Sequence, residues 1–156
     1  MSTDLSHIPA GYHSVTPSLT CRNAGAALDF YHNAFGAVET ARLVSPGDGK
    51  VMHAEMRIGN STLMMSDEYP EWDCLAPEFA KGASFMIYVA DVEAAFAQAV
   101  AAGAKVIMPV TDQFWGDRLG RVACPYGYRW SLSQRVREVS SDEIARLAAE
   151  WKPVES

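Results

Sequence analysis

The stretch Asp112–Ser131, DQFWGDRLGRVACPYGYRWS, decides the fold. An aromatic pair, Phe114 and Trp115, is followed by Gly116. The pattern then predicts a strand over Leu119–Ala123, a turn at Pro125-Tyr126-Gly127 and a second strand from Tyr128. This reads as the last hairpin of a β-rich domain and as one edge of a pocket.

Upstream of it the chain is a repeat. Ala83–Ala90 alternates, with Phe85, Ile87 and Val89 opposite Ser84, Met86 and Tyr88. That period of two predicts a strand. Asp91 is an N-cap, Val92, Ala95, Phe96, Ala99 and Val100 recur at helical spacing, and Gly103 stops the helix. Lys105–Val110 follows as a strand. The first half has the same order. Val15–Cys21 alternates, with Pro17 favouring an edge or a bulge. Asn23 caps a helix carrying Ala24, Ala27, Leu28, Tyr31 and Phe35, and Gly36 ends it. Strands are expected over Ala37–Val44, Val51–Ile58 and Ser61–Ser66, with turns at Ser45–Gly49 and Gly59-Asn60. Asn23 and Asp91 are 68 positions apart, and so are Gly59 and Gly127. Two βαβββ units follow, residues 12–67 and 83–135, each helix covering its own sheet in an α+β domain. Residues 68–82 are a linker or covering loop with Trp72. Residues 1–11 are an arm. Residues 140–151 form a last helix, opened by the capping box Ser140-x-x-Glu143 and striped with Ile144, Leu147, Ala148 and Trp151.

Composition narrows the function. The 156 residues are one domain's worth, 49% hydrophobic and 21% charged, as in ordinary soluble proteins. No apolar run reaches the length of a membrane span, so no membrane partner is expected. MSTDLSHIPAGYHS has neither a basic patch nor an apolar stretch, which argues against a secretory signal. The three cysteines, Cys21, Cys74 and Cys124, are scattered, which points to reduced thiols and a cytoplasmic location. A net charge of −6 with no basic cluster makes nucleic acid an unsuitable partner. No G-x-S-x-G, Walker loop, G-x-G-x-x-G or H-E-x-x-H occurs.

Two segments, HAEMRIGNSTLMMSDEYP (His53–Pro70) and DQFWGDRLGRVACPYGYRWSLS (Asp112–Ser133), carry a resemblance to the vicinal oxygen chelate superfamily. That group includes glyoxalase I, extradiol dioxygenases and bleomycin-resistance proteins, and the likeness is to its PhnB-like branch. It covers Tyr12 to Arg135. Cys124-Pro125-Tyr126-Gly127 departs from the Asp-Pro-x-Gly usual there. The resemblance implies a small-molecule ligand, a cleft and a homodimer. In metal-dependent members, a His or Glu from each unit's first and last strands binds a divalent ion. By register those positions are Thr16, Ser84, Met64 and Ser131 here. Hydroxyls and a thioether do not replace imidazole or carboxylate, so no metal and no other cofactor is expected at the usual place. His13 does not supply the missing ligand, because an odd step from Thr16 turns it to the other face of a strand.

The remaining polar candidates lie on Val51–Ile58. Met52, Ala54, Met56 and Ile58 are expected to face the helix, and His53, Glu55 and Arg57 the cleft. His53 and Glu55 are candidate catalytic residues, as an acid–base pair or as a displaced metal site. Arg57 is placed to hold an anionic group. A solvated face with a cross-strand ion pair is the other reading. Met86, Tyr88, Phe114, Trp115, Tyr126 and Tyr128 offer an aromatic and thioether lining for a flat apolar ligand. Asp117 and Arg118 are expected to pair with each other or with Glu55. Three functions stay open: a binding protein of the glyoxalase/bleomycin-resistance type, an isomerase, lyase or dioxygenase using His53 and Glu55, and an interaction module using the Trp72 loop and the last helix.

Overall fold

The structure, a computed structural model, describes residues 5–152. The first four residues of the arm lie outside that range. The elements run β1 (Ser18–Cys21), α1 (Ala24–Phe35), β2 (Val38–Val44), β3 (Val51–Ile58), β4 (Ser61–Asp67), β5 (Ser84–Tyr88), α2 (Val92–Ala101), β6 (Lys105–Asp112), β7 (Asp117–Ala123), β8 (Arg129–Arg135) and α3 (Ser141–Glu150). A single 3-10 turn, Pro70–Trp72, interrupts the covering loop. The strands form two four-stranded sheets, ordered β1-β4-β3-β2 and β5-β8-β7-β6. In each, the first and last strands of the unit are parallel and the rest antiparallel. The tandem βαβββ architecture expected from the repeat is present, with α3 added after it.

The repeat extends to how each helix begins. Asp67 at the end of β4 accepts from the backbone N–H of Asn23 (3.1 Å) and Ala24 (2.6 Å) with Oδ1, and from Val51 N–H (2.7 Å) with Oδ2. In the second unit Gln134 Oε1 accepts from Val92 N–H at 3.1 Å. A side chain at the end of each last strand thus satisfies the donors that a helix start leaves free. The caps proper are Asn23, whose side chain accepts from Ala26 N–H, and Asp91, which accepts from Ala94 N–H.

One apolar interior serves both units. Tyr31 and Phe35 of α1 lie 5.2 and 4.9 Å from the ring of Trp130 on β8, and Phe85 of β5 lies 4.9 Å from it on another side. Tyr126 packs on Phe30 and Tyr31, so it belongs to this core rather than to a ligand surface. Tyr31 Oη meets Cys124 Sγ at 3.2 Å. Gln98 of α2 donates to the Asn33 carbonyl of α1 at 2.9 Å, tying the helices together.

Three local expectations are corrected. Strand pairing of β1 begins at Ser18, not Val15, and Val15 is 84% exposed. Pro17 offers only its carbonyl, which accepts from Met64 N–H, so the ladder cannot extend back through it. On β3, Met52 is 39% exposed and Val51 takes the buried place. The pairing slips between Leu43 and Val44, opposite His53 and Val51; a bulge absorbs Met52 and restarts the alternation. Finally, β6 continues to Asp112 despite Pro109. It is an outer strand whose register shifts on both sides of Met108, and an edge or a bulge is where proline is tolerated.

The last helix has the expected cap, Ser140 Oγ accepting from Glu143 N–H at 3.2 Å. Its apolar stripe is only partly covered: Ile144 and Leu147 are half-buried, and Ala148 and Trp151 are exposed.

Candidate functional site

On β3 the three polar residues share the face away from the helix. His53 Nε2 lies 3.2 Å from Glu55 Oε1, with side chains 42% and 25% exposed. The arm returns over this face, where Thr62 Oγ1 donates to the Gly11 carbonyl at 3.0 Å. The Tyr12 hydroxyl is thereby set against the Glu55 carboxylate without reaching full hydrogen-bond geometry. That hydroxyl, and then His53, hold the Glu55 carboxyl below the usual carboxylate range, and the same contact pushes the Tyr12 phenol up. Arg57 borders a hollow of about 320 Å³ with Tyr12, His13 and Thr62.

A pH dependence follows. The folded-state pKa of Glu55 lies below its unfolded value, so its contribution to stability is full above roughly pH 4.3 and is lost as the pH falls through the folded pKa. Glu55→Gln is expected to flatten the acid limb. Between pH 6 and pH 3 the variant's melting temperature should fall less than the wild type's, by on the order of 2 °C for so exposed a pair. Parallel acid limbs in the two proteins would show that the contact carries no such energy.

The register places the inferred metal positions apart. Met64 pairs with Ser18 and with Glu55; Ser131 pairs with Met86 and with Arg121. These two rows are equivalent in the two sheets. Thr16 precedes β1 and shares a hollow with His13, where strand alternation no longer applies; Ser84 pairs with Arg129, two rows away from Ser131. The donors along the equivalent rows are hydroxyls and thioethers with one carboxylate, a set that does not fit the divalent ion the resemblance implies. Among the described residues, no three His, Cys, Asp or Glu side chains are grouped to hold a metal.

The aromatic candidates divide between three places. Phe114 and Trp115 meet edge to face at 5.1 Å in the turn before β7. Trp115 walls a hollow of about 370 Å³ under α3, with Arg135, Arg137 and Ile144. Asp117 is buried and accepts from Trp115 Nε1 (3.2 Å) and from the Tyr88 hydroxyl (3.3 Å). It does not pair with Arg118, which forks onto Asp112 at 2.6 and 3.3 Å; the two side chains leave opposite faces of β7. Tyr128 is buried, and its hydroxyl accepts from Thr20 N–H and donates to the Thr20 carbonyl, each at 3.0 Å. It joins the first sheet to the second.

Met86 and Tyr88 open onto the third place, a crevice of about 270 Å³ at the seam between the units. One wall is the end of the β3–β4 hairpin, with Ile58 and Leu63. The other is β5 with Phe85, backed by Trp130. Sequence reasoning missed these four as pocket residues, because alternation assigns them to the helix-facing core. A signal was present in SFMIY, which is apolar on both faces. The strand is an open edge of its sheet, and no helix covers all of it.

A sequence profile of the Glyoxalase/Bleomycin resistance protein/Dioxygenase superfamily matches residues 11–132. The chain is 44% identical over 136 residues to an uncharacterised protein of Mycobacterium bovis, covering 84% of this chain and 89% of that one. Among solved structures it is similar to protein PA1353 from Pseudomonas aeruginosa, with 28% identity, a TM-score of 0.63, and coverage of 80% and 99% of the two chains. It also shares its fold with a putative 3-demethylubiquinone-9 3-methyltransferase, PhnB protein, from Bacillus cereus. There the identity is 19% and the TM-score 0.59, over 78% and 99% of the chains.

Proposed function

The chain belongs to the Glyoxalase/Bleomycin resistance protein/Dioxygenase superfamily, and on that footing we propose that it binds a small apolar or aromatic molecule in the crevice between its two units. The observation that carries this reading is the crevice itself: about 270 Å³, walled by Ile58, Leu63, Phe85, Met86 and Trp130, with the exposed Asn60 and Ser61 as polar side chains of its lining beside Tyr88. An apolar cavity with a few polar groups suits a compact ring. Tyr88 lines the crevice with its ring, held in place by its hydroxyl's hydrogen bond to Asp117.

A second reading is favoured by the contact of His53 with Glu55 and by the Tyr12 hydroxyl beside them. A carboxylate held ionised next to an imidazole can orient that imidazole as a general base. This places any proton transfer on the face of β3, outside the crevice.

One experiment separates the readings. Monocyclic aromatics are titrated into the wild type, Ser61→Phe and His53→Ala, with unfolding as readout. Ser61 is an exposed residue of the crevice lining, and a phenyl ring there is expected to obstruct the crevice. At ten times its Kd a ligand adds roughly 1.4 kcal/mol, or about 4 °C for a domain of this size. The expected result is a rise in wild type and His53→Ala and none in Ser61→Phe. A rise that survives Ser61→Phe, or that vanishes in His53→Ala, would remove the crevice from consideration and leave the β3 face as the site.

A further inference from the structure

Arg57 of β3 is exposed, and among the described residues it makes no ion pair. On a sheet an arginine finds its carboxylate on the residue directly opposite. Opposite Arg57 stand Val38 on β2 and Thr62 on β4, neither of them anionic. Other sheet arginines are matched: Arg42 forks onto Glu39 at 2.7 and 2.9 Å, and Arg118 onto Asp112. With 19 acidic residues against 13 basic ones, carboxylates are not scarce in this chain. The hollow of about 320 Å³ that Arg57 borders has chemistry to match. Its lining is Gly11, Tyr12, His13, Arg57, Asn60 and Thr62, with no aspartate or glutamate. The hollow under α3 also holds arginines, but Glu138 lines it with them. The Gly11 carbonyl, which would repel an anion, is occupied by the Thr62 hydroxyl at 3.0 Å. The Asn60 amide and the His13 ring bring further N–H donors.

We propose that this hollow is a binding site for a small carboxylic acid, with the Arg57 guanidinium forking onto the carboxylate and His13 and Asn60 as further donors. The site stands apart from the crevice reading: of its lining residues only Asn60 also borders the crevice. Charge and shape select the anion. One guanidinium offsets one charge, and its planar donors match the two coplanar oxygens of a carboxylate. A phosphate dianion would leave its second charge to solvent. Size selects the rest: a cavity of about 150 Å³ accepts benzene, so this larger one has room for a ring besides the carboxylate.

The test titrates benzoate, benzamide and phenyl phosphate into the ¹⁵N-labelled full chain, with ionic strength held constant by sodium chloride. Benzamide has the ring and shape of benzoate without its charge. Benzoate is expected to shift the backbone amides of Tyr12, His13, Asn60 and Thr62 saturably, and benzamide is not. Arg57→Gln should weaken benzoate about ten-fold or more, the change that one charge-assisted hydrogen bond supplies. Arg57 is exposed, so the variant should melt with the wild type. The control is Arg42→Gln, which removes the same charge from β2, outside the hollow, and should leave benzoate binding unchanged. Binding that survives Arg57→Gln, equal weakening in the two variants, or equal binding of benzamide would overturn the site. So would the absence of a saturable shift at these amides. Tighter binding of phenyl phosphate than of benzoate would overturn the assignment to a carboxylate.

Discussion

Gly127→Ala is expected to lower the melting temperature by roughly 10 °C. Two costs add. The residue has φ +96, a conformation in which a side chain is strained, at about 1–2 kcal/mol for an L-residue. The new methyl would also lie 2.6 Å from the Pro77 carbonyl oxygen, 2.8 Å from Pro77 Cγ and 2.9 Å from the Glu78 carbonyl oxygen. Two of these three are backbone atoms, which do not rotate away. The covering loop is held against this turn by Gly82 N–H donating to the Gly127 carbonyl at 2.9 Å, and by Arg22 reaching the Ala76 and Pro77 carbonyls. Relief of the clash therefore means lifting the loop and losing those bonds. A total of about 3–4 kcal/mol at 2–4 °C per kcal/mol gives the stated fall. Gly47→Ala, with φ outside the left-handed region and no atom within 4 Å, is the control and should change the melting temperature by no more than about 2 °C. Equal melting of the two variants would mean that loop and turn do not touch as described.

Tyr128→Phe should cost about 2–3 kcal/mol, or roughly 5–10 °C, for the loss of one oxygen atom. β1 is an edge strand, and Thr20 turns both its N–H and its carbonyl away from the sheet. The Tyr128 phenol meets both, doing for one residue what a neighbouring strand would otherwise do. Burial holds this phenol above its usual pKa, so it stays protonated and able to donate. Phenylalanine keeps the ring and its contact with Phe85 but strands two peptide groups at the seam. The diagnostic readout is amide exchange: the Thr20 N–H should lose protection more than other β1 amides. Unchanged protection at Thr20 would show that water or another group serves it.

Much of the fold was legible because it is written twice. Helical spacing after Asn23 and after Asp91, alternation on either side, and glycine at matched turns are local signals, and the second copy corroborates the first. What alternation could not reveal were the breaks in it, at Pro17, Met52 and Met108, where a missing N–H or an inserted residue changes the register. The helix anchors Asp67 and Gln134 were also hidden, since each acts on a backbone more than forty residues away. The candidate site was legible as residue types and not as places. His53 and Glu55 meet as expected from their spacing of two. Trp115 and Met86, read as one lining, border different hollows, because that depends on how the last turn and β5 are covered. Trp130 looked like core, and it is core on the sides facing Tyr31 and Phe35. That another side borders a crevice follows from the meeting of the two units, which no local period encodes.

That meeting also bears on how the chain can be divided. Each unit owns a sheet and a helix, yet Trp130 of the second is packed by Tyr31 and Phe35 of the first. Cutting the chain between the units would leave one fragment with unsheltered rings on its helix and the other with an unsheltered indole. Two copies of one pattern have therefore become a single indivisible body, and the boundary most visible in the sequence is a place where the protein cannot be taken apart.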